Sequence, residues 1–266
     1  MAIKVDDPVA FAQISLMVQR AKHHLDAEVS LELSVEGTLD AGYAVYDNGD
    51  LYARVDTLDA VLDAVYMRIY RRAMELASLK GWLRVHGAVA SLGARRVAVV
   101  GAGAAGKTTL SIGLLELGAN VECDESFLTR NAQVVGVARR FHIKPGTLEL
   151  MADSAWLRDV PTVGSLPVRV LDPSEHGFGW DLPVGPITDL IALRRTDEAS
   201  RIEGSSAQVL VQEIIAQVFA VLEPRRVIVR EAARLGASAR CHVLYAGPDG
   251  VAPHLVKVLV TPPRVP

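Results

Sequence analysis

A glycine-rich turn near residue 100 carries residue types that bind phosphate groups. Gly101, Gly106, Lys107 and Thr108 follow the spacing Gly-x-x-x-x-Gly-Lys-Thr, in which backbone N–H groups can approach phosphate oxygens because no Cβ stands in the way. A lysine here reaches the β- and γ-phosphates as a point charge, and the threonine hydroxyl can ligate Mg²⁺. The predicted nucleotide-binding residues are Gly101, Ala102, Gly103, Ala104, Ala105, Gly106, Lys107, Thr108 and Thr109.

The elements on either side of this turn agree with phosphate binding. Residues 97–100 form a short apolar run rich in β-branched side chains, which is typical of a buried strand. After the turn, Leu110, Leu114 and Leu117 fall on one side of a helix. The first turn of that helix adds unpaired N–H donors and the positive end of the helix dipole. The strand–turn–helix order favours a phosphate-binding loop over a small-residue turn that matches by chance.

Two carboxylates follow the next predicted strand. The pattern of residues 119–123 predicts a short strand, and Asp124 and Glu125 come directly after it. Because ligands bind beyond the carboxyl ends of strands in α/β sheets, we expect both side chains at the edge that holds the glycine-rich turn. One carboxylate would orient Mg²⁺ and the other would accept a proton from an attacking hydroxyl. The alternative is an acidic turn at the end of a strand.

Three further polar residues are candidates for the same site. His86 lies in the otherwise apolar residues 82–90, a strand predicted to pair antiparallel with the strand that leads into the turn. A hydrogen-bonded core histidine and a functional histidine close to the phosphates both remain open. Arg140 and Lys144 lie in a basic stretch closed by a Pro-Gly turn. They are candidate phosphate or substrate contacts, and solvated strand edges are the alternative.

The first 80 residues predict a small α/β unit without a cluster of catalytic residue types. Its elements are a helix over residues 8–24, a strand over residues 28–35, a hairpin over residues 42–55 with a type I′ turn at Asn48-Gly49, and a helix from Thr57 to about Gly81. We therefore assign residues 1–80 to scaffolding, partner binding or substrate selection. Residues 81–266 form the predicted nucleotide-binding domain.

The remaining elements are predicted from periodicity and from turn residues. They are a hairpin over residues 127–137 that turns at Asn131, a helix over residues 147–157, strands over residues 168–171 and 187–193, a polar loop over residues 196–205, helices over residues 207–222 and 226–235, and a closing hairpin of residues 241–245 and 255–260. Residues 172–186 are rich in glycine and proline, and they are either a mobile lid or a surface crossover.

Composition narrows the classes of function. A net charge of −3 gives no basic footprint for nucleic acid. Only two cysteines occur, Cys123 and Cys241, so we expect neither a disulfide framework nor a zinc site, and we expect a cytoplasmic location. The acidic start of the chain does not resemble a secretory signal, and no apolar run approaches the length of a membrane span. The sequence leaves the oligomeric state open, including a homo-oligomer.

The order of these residues resembles a known family. His86-Gly87, the glycine-rich loop, a helix ending in a glycine, and a strand running into Asp124-Glu125 are similar to the HPr kinase/phosphorylase group. They are similar in particular to the stand-alone HPr-kinase-like proteins that carry a small N-terminal unit. The match covers residues 80–150 well and the rest in outline. It implies an α/β fold with a phosphoenolpyruvate-carboxykinase-like core, a mixed sheet flanked by helices.

The resemblance also implies roles for individual residues. Lys107 and Thr108 would bind phosphate and Mg²⁺, and Asp124 would be the acid/base for a serine-type hydroxyl. Glu125 would take the place of a second aspartate as a metal ligand, and His86 would be a polar neighbour of the phosphates. The expected catalytic residues are thus Asp124, Lys107 and His86, with Thr108 and Glu125 on the metal and with ATP and Mg²⁺ as cofactors.

The chain departs from the family pattern at three points. A glutamate replaces the second aspartate, no counterpart of a Glu-x-Arg-Gly segment follows, and alanines replace common serine and glycine residues at Ala102, Ala104 and Ala105. HPr itself is therefore not the expected substrate. The leading hypothesis is an ATP/Mg²⁺-dependent kinase that transfers the γ-phosphoryl group to a hydroxyl of a small molecule or peptide. The alternatives are a non-catalytic nucleotide-binding module that contacts a partner and, less favoured, nucleotide hydrolysis that drives a partner.

Overall fold

The computed structural model describes residues 2–18, 31–165, 168–219 and 223–260. Its strands are β1 (Ala2–Val5), β2 (Glu32–Thr38), β3 (Gly42–Asp47), β4 (Asp50–Val55), β5 (Leu83–Leu92), β6 (Arg95–Val100), β7 (Asn120–Cys123), β8 (Ser126–Arg130), β9 (Gln133–Gly136), β10 (Phe141–Ile143), β11 (Arg169–Leu171), β12 (Gly185–Pro186), β13 (Asp189–Arg195), β14 (Arg201–Gly204) and β15 (Arg240–Ala246).

The helices lie between these strands. The α-helices are α1 (Pro8–Met17), α2 (Leu58–Leu79), α3 (Lys107–Glu116), α4 (Pro145–Leu150), α5 (Ala207–Ala216), α6 (Arg225–Ser238) and α7 (Ala252–Val260). Two short 3₁₀ helices span Ala155–Asp159 and Pro173–His176.

Within the described residues, nine strands form the main sheet in the order β12-β9-β8-β5-β6-β13-β15-β14, with β7 also paired to β5. Strands β6, β13 and β15 are parallel. Strand β5 runs antiparallel to β6, β7 and β8. Strands β6 and β7 therefore point the same way and end at the same edge of the sheet, which brings the glycine-rich turn and the acid pair together.

Helices cover both faces of this sheet, as the sequence predicts for a mixed sheet flanked by helices. The side chains of β6 alternate between two cores: Val97 and Val99 face one, and Ala98 and Val100 face the other. The first core contains buried residues of α3 and α7, and the second contains buried residues of α5 and α6. The strand that leads into the turn is thus fixed by packing on both sides.

A glycine inside α3 allows this helix to approach α7 closely. A Cβ on Gly113 would lie 2.4 Å from Cγ of Pro253, which is shorter than any ordinary carbon contact. An alanine at this position would push the two helices apart. Gly113 lowers the helix propensity of α3, but it allows α7 to pack closely against this helix.

The N-terminal part builds a second sheet, with the order β1-β2-β3-β4 among the described strands. Helices α1 and α2 pack against it, and their shared core includes Val61 and Val65. Val163 and Val170, which lie far along the chain, belong to the same core. Helix α2 also contacts β5 of the main sheet.

Several local predictions are confirmed. Strands β3 and β4 pair as a hairpin, and Asn48 and Gly49 have φ values of 50° and 89°, as a type I′ turn requires. The Thr57 hydroxyl caps α2 by accepting from the N–H of Ala60 at 3.2 Å. Strands β8 and β9 form the second predicted hairpin, and its turn includes Asn131 at φ 53°.

Some predictions of secondary structure are wrong, among them the predicted helix over residues 207–222, which ends at Ala216. Residues 255–260 belong to helix α7, in which Ala252, Val256 and Val260 are buried at the four-residue spacing of a helix, so no closing hairpin forms. The predicted polar loop of residues 196–205 contains β14, an edge strand antiparallel to β15. The predicted helix over residues 147–157 is divided into α4 and a 3₁₀ helix.

The segment of residues 172–186 is tied to the main sheet. Trp180 Nε1 donates to the carbonyl of Glu122 at 3.0 Å, and Asn120 Oδ1 accepts from the N–H of Asp181 at 2.9 Å. The Trp180 ring also packs edge-on against Phe141. These contacts favour the surface crossover over the mobile lid.

Parts of two predicted helices and of one predicted strand, at residues 19–30 and 220–222, lie outside the described residues. In the part of the chain that the structure covers, no helix combines the length and the apolar character that crossing a membrane requires.

Candidate phosphate-binding and acid site

The loop between β6 and α3 adopts backbone conformations that favour small residues. Gly106, just before α3, has φ 101°, and Ala104 has φ 61°, both in the left-handed region. A Cβ on Gly101 would lie 2.6 Å from the carbonyl oxygen of Leu193. A Cβ on Gly103 would meet no atom within 4 Å, so the loop is open on that side. The strand, loop and helix thus occur in the predicted order.

Lys107, the first residue of α3, lies folded over this loop. Its Nζ donates to the carbonyl oxygens of Gly101 at 2.7 Å and of Ala102 at 3.0 Å. Burial lowers the pKa of Lys107, and the nearby charges of Glu125 and Asp124 oppose that effect. The ammonium group is therefore held at the loop, where it could exchange these carbonyl contacts for phosphate oxygens.

Asp124 lies against the start of the same helix. Its Oδ2 accepts from the Thr108 hydroxyl at 2.9 Å, and the residue is only 2% exposed. Burial raises the pKa of Asp124 above its ordinary value, while the Arg139 charge and the Thr108 hydrogen bond act in the opposite direction. The structure thus brings together the predicted metal ligand of the helix and the predicted acid/base of the neighbouring strand.

Arg139, which the sequence reasoning missed, connects the two carboxylates. Its Nη2 lies 3.3 Å from Oδ1 of Asp124 and 3.4 Å from Oε2 of Glu125. Its Nη1 donates to the hydroxyl of Tyr66 on α2 at 3.1 Å. Burial alone would lower the pKa of Arg139, but the Asp124 charge, with smaller contributions from its other neighbours, holds it above the ordinary value. This guanidinium therefore stays charged and partly neutralises the acid pair.

His86 contacts the main chain of the acid pair. Its Nδ1 lies 2.7 Å from the carbonyl oxygen of Glu125 and 3.6 Å from Oε1 of the same residue. Since a carbonyl only accepts, Nδ1 carries the hydrogen and Nε2 is free to accept. Burial and the Lys107 charge lower the pKa of His86 below its ordinary value. We therefore expect a neutral imidazole at pH 7.

Arg140, a predicted phosphate or substrate contact, is held by other partners. Its Nη2 donates to Oε1 of Glu175 at 2.7 Å, and its Nη1 donates to the carbonyl oxygen of Leu16 at 3.0 Å. Arg140 thus connects α1 to the crossover segment, and Arg139 takes its place as the arginine beside the acids. Lys144 is exposed just before α4, where its charge helps to lower the pKa of His142. A phosphate contact of Lys144 stays a prediction.

His142, Tyr66 and Tyr70, which the sequence did not predict as site residues, surround Arg139 and Arg84. His142 Nδ1 lies 3.2 Å from Nη1 of Arg139, and burial lowers the pKa of His142 to about 3, so this neutral ring accepts from the arginine. Tyr66 and Tyr70 stack on α2 with ring centroids 5.7 Å apart. Their four-residue spacing on one helix face was the signal available in the sequence.

The donor set fits Mg²⁺ together with a polyphosphate. Magnesium is usually held by one or two carboxylates, with phosphate oxygens and waters completing its octahedron. Thr108, Asp124 and Glu125 supply one hydroxyl and two carboxylates next to the loop. Among the described residues no group of three or more His, Cys, Asp or Glu side chains could hold a metal alone.

Comparisons with known proteins give a distant likeness in structure alone. No protein-family model and no curated protein sequence matches this chain. Among solved structures, the HPr(Ser) kinase/phosphatase from Coxiella burnetii is similar, with a TM-score of 0.37 and 14% sequence identity, over 66% of this chain and 87% of that one. A likeness at this TM-score carries neither an activity nor a substrate over to this chain.

Proposed function

We propose that this protein is an ATP/Mg²⁺-dependent kinase that transfers the γ-phosphoryl group to a hydroxyl of a small molecule or peptide. The observation that carries the proposal is the hydrogen bond of 2.9 Å between Thr108 and the buried Asp124. This contact joins the first turn of the loop helix to the carboxylate of the neighbouring strand. A bound nucleotide tail and a proton acceptor would therefore lie side by side.

Each residue has a distinct part in this proposal. Lys107 and the loop N–H groups bind the phosphates and stabilise the charge that develops during transfer. Thr108 and Glu125 would hold Mg²⁺, which neutralises phosphate charge when it is bound. Asp124 accepts the proton of the acceptor hydroxyl. At the same time the hydroxyl oxygen bonds to the γ-phosphorus, and the bond between the γ-phosphorus and the ADP oxygen breaks. Its raised pKa makes Asp124 a better base than an exposed carboxylate.

The test is Asp124→Asn, compared with Asp63→Asn as a control at an exposed position of α2. Calorimetry with Mg²⁺ and ATP measures binding, and release of ADP with a panel of hydroxyl compounds measures transfer. We expect Asp124→Asn to bind nucleotide and to lose transfer by about 10²–10⁴-fold, the usual contribution of a general base. The control should retain both.

Other outcomes would contradict the proposal in different ways. Full transfer by Asp124→Asn would remove the assigned base. Binding of Mg²⁺ and ATP by the unmodified chain with no turnover of any hydroxyl compound would instead favour the non-catalytic nucleotide-binding module. No binding heat at all would remove the nucleotide site on which both functions depend.

A further inference from the structure

Arg84, close to the acid pair, has no carboxylate partner in the part of the chain that the structure describes. Arg84 lies on β5 two residues before His86, so both side chains leave the same face of the strand. Its Nε donates to the Ser126 hydroxyl at 3.1 Å. Among the described residues, no carboxylate lies within salt-bridge distance of Arg84. The terminal N–H groups of a fixed guanidinium therefore stay available for a ligand.

Two aromatic rings hold this guanidinium. The central carbon of Arg84 lies 4.5 Å from the ring centroid of Tyr70 and 4.5 Å from that of Phe219. Tyr70 is itself fixed, because its hydroxyl donates to Ser126 Oγ at 2.8 Å. Cation–π contacts orient the plane of a guanidinium and leave its in-plane N–H donors free. Arg84 is thus preorganised to donate two parallel hydrogen bonds.

The chain positions Phe219 through a short strand-like pairing. The carbonyl of Gln217 accepts from the N–H of His86 at 2.8 Å, and the N–H of Phe219 donates to the carbonyl of Arg84 at 3.3 Å. Because β6 pairs only with residues 87–92 of β5, the segment of residues 217–219 takes the neighbouring position beyond the end of β6. Three separate parts of the fold, β5, α2 and this segment, therefore build the surroundings of Arg84.

Arg84 lies on the far side of His86 from the phosphate loop. Gly87 pairs with Val100, the last residue before the loop, and the charge of Lys107 reaches His86. Two residues of a strand span about 7 Å, which places Arg84 that much further along β5. An acceptor must approach the γ-phosphorus from the side opposite the leaving ADP. Arg84 is therefore suitably located to contact the acceptor rather than the nucleotide.

We propose that Arg84 binds an anionic group, a carboxylate or a phosphate, of the molecule that receives the phosphoryl group. The planar guanidinium matches such groups with two parallel hydrogen bonds. This inference rests on the proposed function, since it names the chemistry of the acceptor. Substrates would then carry a hydroxyl for Asp124 and a negative charge for Arg84.

The experiment measures binding by calorimetry in the presence of Mg²⁺ and a non-hydrolysable ATP analogue. Its probes are matched pairs: malate and malamide, glycerol 3-phosphate and glycerol, and two serine peptides flanked by either Asp/Glu or Asn/Gln residues. We expect at least one anionic probe to bind more tightly than its neutral partner. Arg84→Gln should weaken that probe at least about tenfold, the loss of one charge-assisted pair, and should leave binding of the nucleotide analogue unchanged.

Arg201→Gln is the matched control. Arg201 also stacks on an aromatic ring, 4.0 Å from the centroid of Tyr245, but it lies on the edge strand β14 and pairs with Glu198 and Glu203. This variant should bind every probe like the unmodified chain. Arg84→Lys, which keeps the charge without the fork of donors, should bind the anionic probe with intermediate affinity. It also replaces Arg84→Gln if that variant does not fold.

Three results would overturn the proposal. The first is that anionic and neutral probes bind equally, or that neither binds. The second is that Arg84→Gln, or Arg84→Lys if only that variant folds, keeps its affinity for the anionic probe, and the third is that Arg201→Gln loses as much affinity. The small molecules and the peptides show separately which source supplies the anion. If a probe binds through Arg84 and is never phosphorylated, the kinase proposal fails while the anion site remains. If phosphorylation occurs without dependence on Arg84, the reverse holds.

Discussion

At the scale of single residues, Arg139 determines the electrostatics of the candidate site. It lies within 3.4 Å of both carboxylates, and the hydroxyl of Tyr66 and the neutral ring of His142 both accept from its Nη1. Burial raises the pKa of Asp124, and Arg139 is the largest influence in the opposite direction. The arginine therefore lowers the pKa of the buried Asp124 carboxyl relative to burial alone and favours its ionised, basic form.

Arg139→Gln should shift the pH dependence of the reaction. Without the guanidinium, the pKa of Asp124 rises further, so the ionised form that accepts a proton is reached only at higher pH. We expect ATP hydrolysis or phosphoryl transfer to fall roughly 10- to 100-fold at pH 7 and to recover in part as the pH rises. A profile of kcat/KM against pH measures this shift of the acidic limb.

Arg140→Gln is the control for this prediction. Arg140 is adjacent in sequence but contacts Glu175 and Leu16, so the acidic limb should keep its position. An unshifted limb in Arg139→Gln, or the same shift in both variants, would show that Arg139 does not control the protonation of Asp124.

The residues of the site differ in how far the sequence could predict them. The spacing of Gly101, Lys107 and Thr108 carries its own chemistry, and Asp124 follows because a strand after the loop helix ends at the same edge. Nothing in the local sequence distinguishes Arg139 from Arg140. They are neighbours in an irregular stretch, and only the folded chain decides which way each side chain points. Arg84 was missed for a similar reason: both of its aromatic neighbours are distant in sequence.

At the scale of elements, the predictions succeeded where the signal was local. Turn residues and caps defined the hairpins and the start of α2. Residues 255–260 were predicted as a strand because β-branched side chains favour strands. They form a helix instead, in which every fourth residue from Ala252 is buried and which packs against α3. Strand β14 was missed because an edge strand carries charged side chains and lacks an apolar pattern.

A buried ion pair joins the strand of the loop to the strand of the acids. Arg96 on β6 donates to both oxygens of Glu122 on β7, at 2.7 and 2.6 Å. It also donates to the carbonyls of Gly185 and Pro183 at 2.6 and 2.8 Å. Strands β6 and β7 are not paired with each other but both pair with β5, and this contact links them directly across β5.

Glu122→Ala should destabilise the protein strongly because it leaves a buried guanidinium without its carboxylate. The expected loss is about 3–5 kcal/mol in the free energy of unfolding, measured with urea at pH 7. The double variant Arg96→Met/Glu122→Leu should regain most of that stability, since apolar side chains of similar size replace the whole pair. A loss below about 1 kcal/mol in the single variant, or an equal loss in the double variant, would contradict this account.

At the scale of the whole molecule, the N-terminal unit takes part in both the core and the site. Helix α2 supplies Tyr66 to Arg139 and Tyr70 to Arg84. In return, Val163 and Val170 from the second part of the chain complete the core of the N-terminal sheet. The unit predicted to be a scaffold or to select substrate thus contacts both Arg139, beside the acid pair, and Arg84.

This arrangement leads to a test of the predicted boundary between residues 1–80 and 81–266. A fragment of residues 81–266 would expose two valines that are now at most 8% exposed, at a cost of about 1.5–3 kcal/mol each, and Arg139 would lose its contact with Tyr66. We expect a lower urea midpoint than that of the full chain. We also expect the fragment to lose more affinity for the anionic probe than for Mg²⁺ and nucleotide. The reason is that Arg84 loses Tyr70, whereas the glycine-rich loop keeps its own sheet. A fragment that unfolds at the midpoint of the full chain and binds the probe equally well would show that the first 80 residues are independent of the site.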